Sequence, residues 1–143
     1  MKKIGVITSG GDAPGMNAAV RAVVREAIYK GLEVIGINRG FIGLLEDQFT
    51  RLDARSVSGI INKGGTILRT GRCPEIKTAT GMNRAINVLK HLGIEGLIII
   101  GGDGSLNAGY SISKKGIPVI CIPATIDNDR RFGRCRIYFS SGN

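Results

Sequence analysis

The chain has 143 residues, 43% of them hydrophobic, which suits one domain with a core of its own and excludes a disordered composition. Its formal net charge is +9; Arg130, Arg131, Arg134 and Arg136 supply four of these charges and leave +5 for residues 1–129. Aromatic residues make up only 5% and Trp is absent, so there is little on which bases could stack, and the positive balance suits small anionic ligands better than nucleic acid.

Residues 3–8 form a short apolar run that enters Ser9-Gly10-Gly11-Asp12 and predicts a strand; the run is too short and ends too polar for an export signal. Residues 16–30 carry helical spacing, with Ala19, Val23 and Ala27 on one row and Val20 and Val24 on the next, and Gly31 stands where the helix would stop. Residues 33–37 read as a second strand and 40–54 as loop. A short helix is expected over 55–62, closed by Gly64-Gly65, and a longer one over 78–92, with Met82, Ala85, Ile86 and Leu89 on one face and Gly93 at its end. The continuous apolar run 96–101 predicts a strand buried on both faces. A helix from about Ser105 to Lys115 and a strand over 118–122 complete the series. This alternation predicts an α/β fold, a parallel sheet with helices on both faces in Rossmann-type layering, whose ligands bind beyond the carboxyl ends of the strands.

Three loops fall at such ends. In Ser9-Gly10-Gly11-Asp12-Ala13-Pro14-Gly15-Met16-Asn17 the glycines let backbone N–H groups approach phosphate oxygens at the start of a helix. Gly10 and Gly15 have the separation of a P-loop, but Met16-Asn17 replaces its Lys-Ser/Thr, so positive charge must come from elsewhere. In Gly101-Gly102-Asp103-Gly104-Ser105 an exposed carboxylate between glycines suits Mg²⁺ carried on a nucleotide, and Ser105 could cap the next helix and donate to phosphate. In Pro123-Ala124-Thr125-Ile126-Asp127-Asn128-Asp129 two carboxylates at a spacing of two would share a side of an extended segment, where one could accept a hydroxyl proton. Arg72, after Gly71, offers the missing cation. Taken singly, the first two loops could be tight turns or helix caps, the third an Asx-rich surface turn, and Arg72 a surface charge.

Cys73, Cys121 and Cys135 are odd in number and lack a Cys-x-x-Cys spacing, which fits reduced thiols in a cytoplasmic protein. His91 falls on the solvated face of a helical pattern. No apolar stretch reaches the length of a membrane span.

Together, SGGDAPGMNAA at 9–19, GGDGS at 101–105 and PATIDND at 123–129 resemble the bacterial ATP-dependent 6-phosphofructokinases, and GGT at 64–66 and Arg72-Cys73-Pro74-Glu75 agree. GGDG alone also occurs in NAD kinases and lipid kinases, which leave the other two motifs unexplained. The resemblance implies transfer of the γ-phosphoryl group of Mg²⁺-ATP to the 1-hydroxyl of fructose 6-phosphate in glycolysis. It implies an ATP site of Gly11, Arg72, Cys73, Gly102, Asp103, Gly104 and Ser105, with Asp103 holding Mg²⁺ and Arg72 bridging the transferring group. Thr125, Ile126 and Asp127 would meet the sugar phosphate, Asp127 as the base, with Asp129 supporting it. An effector site for ADP or phosphoenolpyruvate would use Arg21, Ala22, Val23, Val24 and Arg25 with Ser58. Full-length relatives are implied to be homotetramers.

Pyrophosphate-dependent relatives usually carry Asp where this chain has Gly104 and Lys where it has Ala124, so the small residues here imply ATP as donor. Ala124 stands where ATP enzymes usually have Gly, Phe41 where Tyr is commoner, and Ala54, with Arg55 beside it, where arginine is frequent. The resemblance covers residues 1–129, read as the ATP-binding N-terminal part of the domain. Residues 130–143 depart from it and are expected to be an atypical tail from a frameshift or a premature end. Most sugar-phosphate contacts of the family lie beyond such an end. The isolated chain is therefore expected to be an incomplete enzyme, or else a non-catalytic nucleotide-binding remnant.

Overall fold

The computed structural model describes residues 1–124. Five strands form one sheet in the order β3-β2-β1-β4-β5. They are β1 (Lys3–Ser9), β2 (Glu33–Ile37), β3 (Phe49–Leu52), β4 (Gly96–Gly101) and β5 (Val119–Pro123). The helices are α1 (Met16–Tyr29), α2 (Gly40–Leu45), α3 (Ala79–His91) and α4 (Asp103–Lys114), with a 3-10 turn over Pro74–Lys77 before α3. Strands β1, β2, β4 and β5 run parallel, as the sequence pattern predicts, while β3 runs antiparallel to β2. The sheet is therefore mixed.

Burial explains the strand patterns. β1 and β4 are central and shielded on both faces, so Ile4, Val6, Ile7, Leu97, Ile99 and Ile100 are all buried. One face packs on α1 and the turns after β3, through Val20, Val24, Ala27, Val57 and Ile60. The other packs on α2, α3 and α4, through Phe41, Leu44, Ala85, Leu89, Ala108 and Ile112. Each face thus has its own aliphatic core, in the layering expected of alternating strands and helices.

Helix ends follow the glycines. At the end of α1, Gly31 takes φ 76° and the N–H of Leu32 reaches back to the Ala27 carbonyl at 2.9 Å. At the end of α3, Gly93 takes φ 72° and the N–H of Ile94 reaches the Leu89 carbonyl at 3.0 Å. Both are left-handed closures in which a glycine avoids the Cβ penalty. α3 starts on Thr78, whose hydroxyl accepts the Gly81 N–H at 3.0 Å, a cap worth about 1 kcal/mol. His91 is exposed on α3, as expected.

Two segments differ from the sequence pattern. Residues 40–54, expected to be loop, contain α2 and β3. α2 has only six residues, two of them Gly, so it is too short to show a period, and burial of Phe41, Leu44 and Leu45 holds it in place. Residues 55–62, expected to be a short helix, form successive turns. Asp53 Oδ1 accepts the Ser56 N–H at 2.8 Å and starts one turn, but Gly59 at φ 69° ends it before a second can form. α4 begins at Asp103, two residues before the expected start.

Candidate active site

The sheet order changes direction at β1: the chain goes from β1 to β2 on one side and returns to β4 on the other. In open α/β sheets a crevice opens at such a point, beyond the carboxyl ends of the strands. The register sets Ser9 opposite Gly101, so the two glycine loops leave the sheet side by side. They then touch. A Cβ on Gly10 would lie 3.7 Å from Ser105 Oγ and 3.8 Å from the Gly102 nitrogen. One on Gly101 would collide with the Ser9 carbonyl and stand 2.8 Å from Ser105 Oγ. Glycine at 101 is what allows the loops to converge.

The helices that follow start without side-chain caps. α1 begins after Gly15, at φ 89°, and α4 after Gly102. Side chains that might have taken their first-turn N–H groups are missing, and the positive ends of both helices face the crevice side of the sheet. Ser105, expected to cap α4, lies inside that helix and is buried.

A cavity of about 300 Å³ lies here. Ser9, Gly10, Gly104 and Ser105 form one wall, and Gly71, Arg72, Cys73 and Pro74 the opposite one. Phe41 and Ile76, both nearly buried, supply apolar lining. Lys77 adds a second cation beside Arg72. Neither cation forms an ion pair with a described residue. Two cations unpaired among the described residues, two helix starts without side-chain caps and an apolar floor suit a phosphate-bearing ligand with an aromatic or otherwise apolar part.

Of the residues expected in the ATP site, Arg72, Cys73, Gly104 and Ser105 line the cavity. Gly11 and Gly102 sit in the adjoining loops and Asp103 opens α4, and none of the three lines it. Gly104 has open space where a side chain would be. Asp103 is half-buried as the first residue of α4. Cys73 is a free thiol whose Sγ lies 3.5 Å from Glu75 Oε2; burial, reinforced by the Glu75 side chain, pushes the thiol up from its ordinary value. Thr125, Ile126, Asp127 and Asp129, Cys135 and the 130–143 segment lie outside the described residues.

The sequence pattern gives Lys77 no role, and shows Asn17 only as the end of the first glycine loop. Lys77 is one polar residue among many until the 3-10 turn sets it at the cavity. Asn17 is buried and bonds a loop about fifty residues away.

The expected effector residues divide. Ala22 and Arg25 are exposed on α1, Ser58 is exposed in the turns packed on that helix, and Val23 is half-buried. Val24 is fully buried in the core, so its side chain is not available to an effector. Arg21 is half-buried, and its buried Nη1 has no hydrogen-bond partner among the described residues.

Among the described residues no group of three or more His, Cys, Asp or Glu side chains could hold a metal ion. A Mg²⁺ ion brought in on nucleotide phosphates needs only one or two carboxylates, and Asp103 at the crevice fits that donor set.

A model of the family described as Phosphofructokinase matches residues 3–137. The chain belongs to the phosphofructokinase family. The ATP-dependent 6-phosphofructokinase of Halothermothrix orenii is 59% identical over 130 residues, which is 90% of this chain and 39% of that protein. The ATP-dependent 6-phosphofructokinase of Alkaliphilus metalliredigens is 50% identical over 141 residues, 99% of this chain and 44% of that one. The chain thus spans about two fifths of the length of the curated phosphofructokinases it matches. Among solved structures, the phosphofructokinase of Pichia pastoris in the T-state superposes with a TM-score of 0.85 at 38% identity, over 89% of this chain and 15% of that one. A pyrophosphate-dependent phosphofructokinase from Marinobacter aquaeolei, 21% identical, shares the fold with a TM-score of 0.72, over 86% of this chain and 33% of that one. No helix among the described residues is long and apolar enough to cross a membrane.

Proposed function

We propose that this chain carries the nucleotide half of an active site that transfers the γ-phosphoryl group of ATP to the 1-hydroxyl of fructose 6-phosphate. The observation that carries this is the convergence of the Gly10 and Gly101–Ser105 loops, in register across β1 and β4, on one cavity with Arg72. The ATP-dependent relatives, at 50–59% identity, support the reaction. In this proposal the backbone N–H groups of Gly11 and Gly102 to Ser105 take the phosphates, and Phe41 and Ile76 take the base. Arg72 stays with the transferring group, where a delocalised guanidinium offsets charge spread over three oxygens. Asp103 would hold Mg²⁺, which neutralises phosphate charge when bound. The open space at Gly104 and the small Ala124 support ATP over pyrophosphate as the donor.

Thr125, Ile126 and Asp127 are assigned to the sugar phosphate. Asp127 accepts the 1-hydroxyl proton as that oxygen attacks, and Asp129 supports its carboxylate. Cytoplasmic location and a homotetramer for the full-length protein belong to the same proposal. A second, anion-accepting effector site for ADP or phosphoenolpyruvate on the α1 face is favoured by the Nη1 of Arg21, buried without a hydrogen-bond partner among the described residues, with Arg25 exposed on the same helix and Ser58 exposed in the turns packed on it.

The test is a turnover assay with Mg²⁺-ATP and fructose 6-phosphate, read as ADP release that depends on the sugar. Sugar-dependent ADP release supports the reaction. ATP binding without it would leave the chain a nucleotide-binding remnant, and release with NAD or a lipid in place of the sugar would move it to another kinase class.

A further inference from the structure

The segment 63–72, which ends on Arg72, contains no helix or strand. Its backbone polar groups must find partners elsewhere, and three of them find one side chain. Asn17, second residue of α1 and 3% exposed, donates through Nδ2 to the Lys63 carbonyl at 3.0 Å and to the Gly64 carbonyl at 3.4 Å. Its Oδ1 accepts the Ile67 N–H at 2.8 Å. Thr8, fully buried at the end of β1, takes the next stretch: its Oγ1 donates to the Arg69 carbonyl and meets Thr66 Oγ1, each at 3.0 Å.

The clamp continues toward the cavity. The Arg39 N–H donates to the Leu68 carbonyl at 2.8 Å. Arg69 is held at φ 60°, a left-handed conformation that a non-glycine residue keeps only when its surroundings fix it. Gly71 then rests against the Arg39 carbonyl, where a Cβ would come within 3.0 Å. Arg72 follows as the next residue. Asn17 belongs to the phosphate loop's own helix, so its amide ties the 10–15 loop to the strand of chain that delivers the arginine.

We infer that Asn17, with Thr8, is a positioning residue: it touches no ligand and acts by fixing where Arg72 stands relative to the phosphate-binding loops. This rests on the assignment of Arg72 to the transferring phosphoryl group made above. An arginine misplaced by an ångström weakens the transition state more than it weakens nucleotide binding, so the two kinetic parameters should separate.

The experiment is a double-mutant cycle on the enzyme. Asn17→Ala should lower kcat on the order of 10-fold to 100-fold, while KM for Mg²⁺-ATP moves less than about 3-fold. In an Arg72→Ala background the same substitution should add almost nothing to the loss. Thr8→Val should behave like Asn17→Ala, and Thr8→Ser, which keeps the hydroxyl, should retain more of the rate. An unchanged kcat, or an equal loss in both backgrounds, overturns the inference. Should the parent protein turn over no substrate, the proposed function has failed, and positioning is then read from amide hydrogen exchange of Asn17→Ala. Faster exchange confined to 66–72 supports it; unchanged exchange, or acceleration spread across the sheet, overturns it.

Discussion

Two clefts lined by described residues invite a ligand, and the larger of these two is the weaker candidate. A cleft of about 550 Å³ runs along the outer side of α3, lined by Thr80, Asn83, Arg84, Asn87, Val88 and His91, with Asp47 across from them. The cavity between the β1 and β4 loops has about 300 Å³. The α3 cleft is lined largely by one helix's side of polar residues, and Arg84 is already engaged with the Leu45 carbonyl at 2.7 Å. Around the smaller cavity the backbone itself is arranged for approach: two helix starts without side-chain caps, a glycine at 101 where a Cβ would collide with the neighbouring loop, and two cations with no described partner. Size measures room, whereas convergent backbone donors and unpaired charge measure readiness for an anion.

That contrast can be broken at its strongest point first. Gly101→Ala drives a methyl group into the Ser9 carbonyl and Ser105 Oγ. The substitution should cost about 2–3 kcal/mol of stability in a denaturant titration and remove nucleotide binding, because it forces the two loops apart. Arg72→Ala comes next. It should lower turnover about 100-fold to 1000-fold while the fold and most of the ATP affinity remain, since the group acts on charge that develops during transfer. Lys77→Ala should weaken ATP binding by a few-fold, on the order of 0.5–1 kcal/mol at low salt, with the difference shrinking as ionic strength rises. Smallest of all should be Asn87→Ala in the α3 cleft, with ATP affinity and turnover unchanged; a measurable loss there would mean that the larger cleft takes part after all.

Much of this arrangement was legible in the sequence, and the exceptions have physical causes. β1 and β4 are buried on both faces, so they appear as unbroken apolar runs, and Gly31 and Gly93 mark helix ends because only left-handed glycine closes them cheaply. The glycine loops at 9–15 and 101–105 stood out because backbone must come close to something there. α2 was hidden because six residues with two glycines show no period, although the core holds them. The converse holds at 55–62, where Val57, Ile60 and Ile61 mimic a helical turn while Gly59, at φ 69°, prevents a second one. Neither the bonds from Asn17 to residues 63–67 nor the entry of Lys77 into the cavity wall leaves a local trace, since both depend on segments that only the tertiary fold brings together. Val24 is among the effector residues that the resemblance implies, but the helix turns it into the core.

The most direct measurement uses Cys73, the thiol in the cavity wall, as a footprint for the nucleotide. Its raised pKa keeps it protonated at neutral pH, so alkylation by iodoacetamide should be slow and should climb only as pH rises past the ordinary thiol range. At an alkaline pH where it does react, saturating Mg²⁺-ATP should protect Cys73, mapped by mass spectrometry, while leaving Cys121 unaffected. Alkylation of Cys73 at the same rate with and without saturating Mg²⁺-ATP would contradict the placement of the nucleotide between β1 and β4.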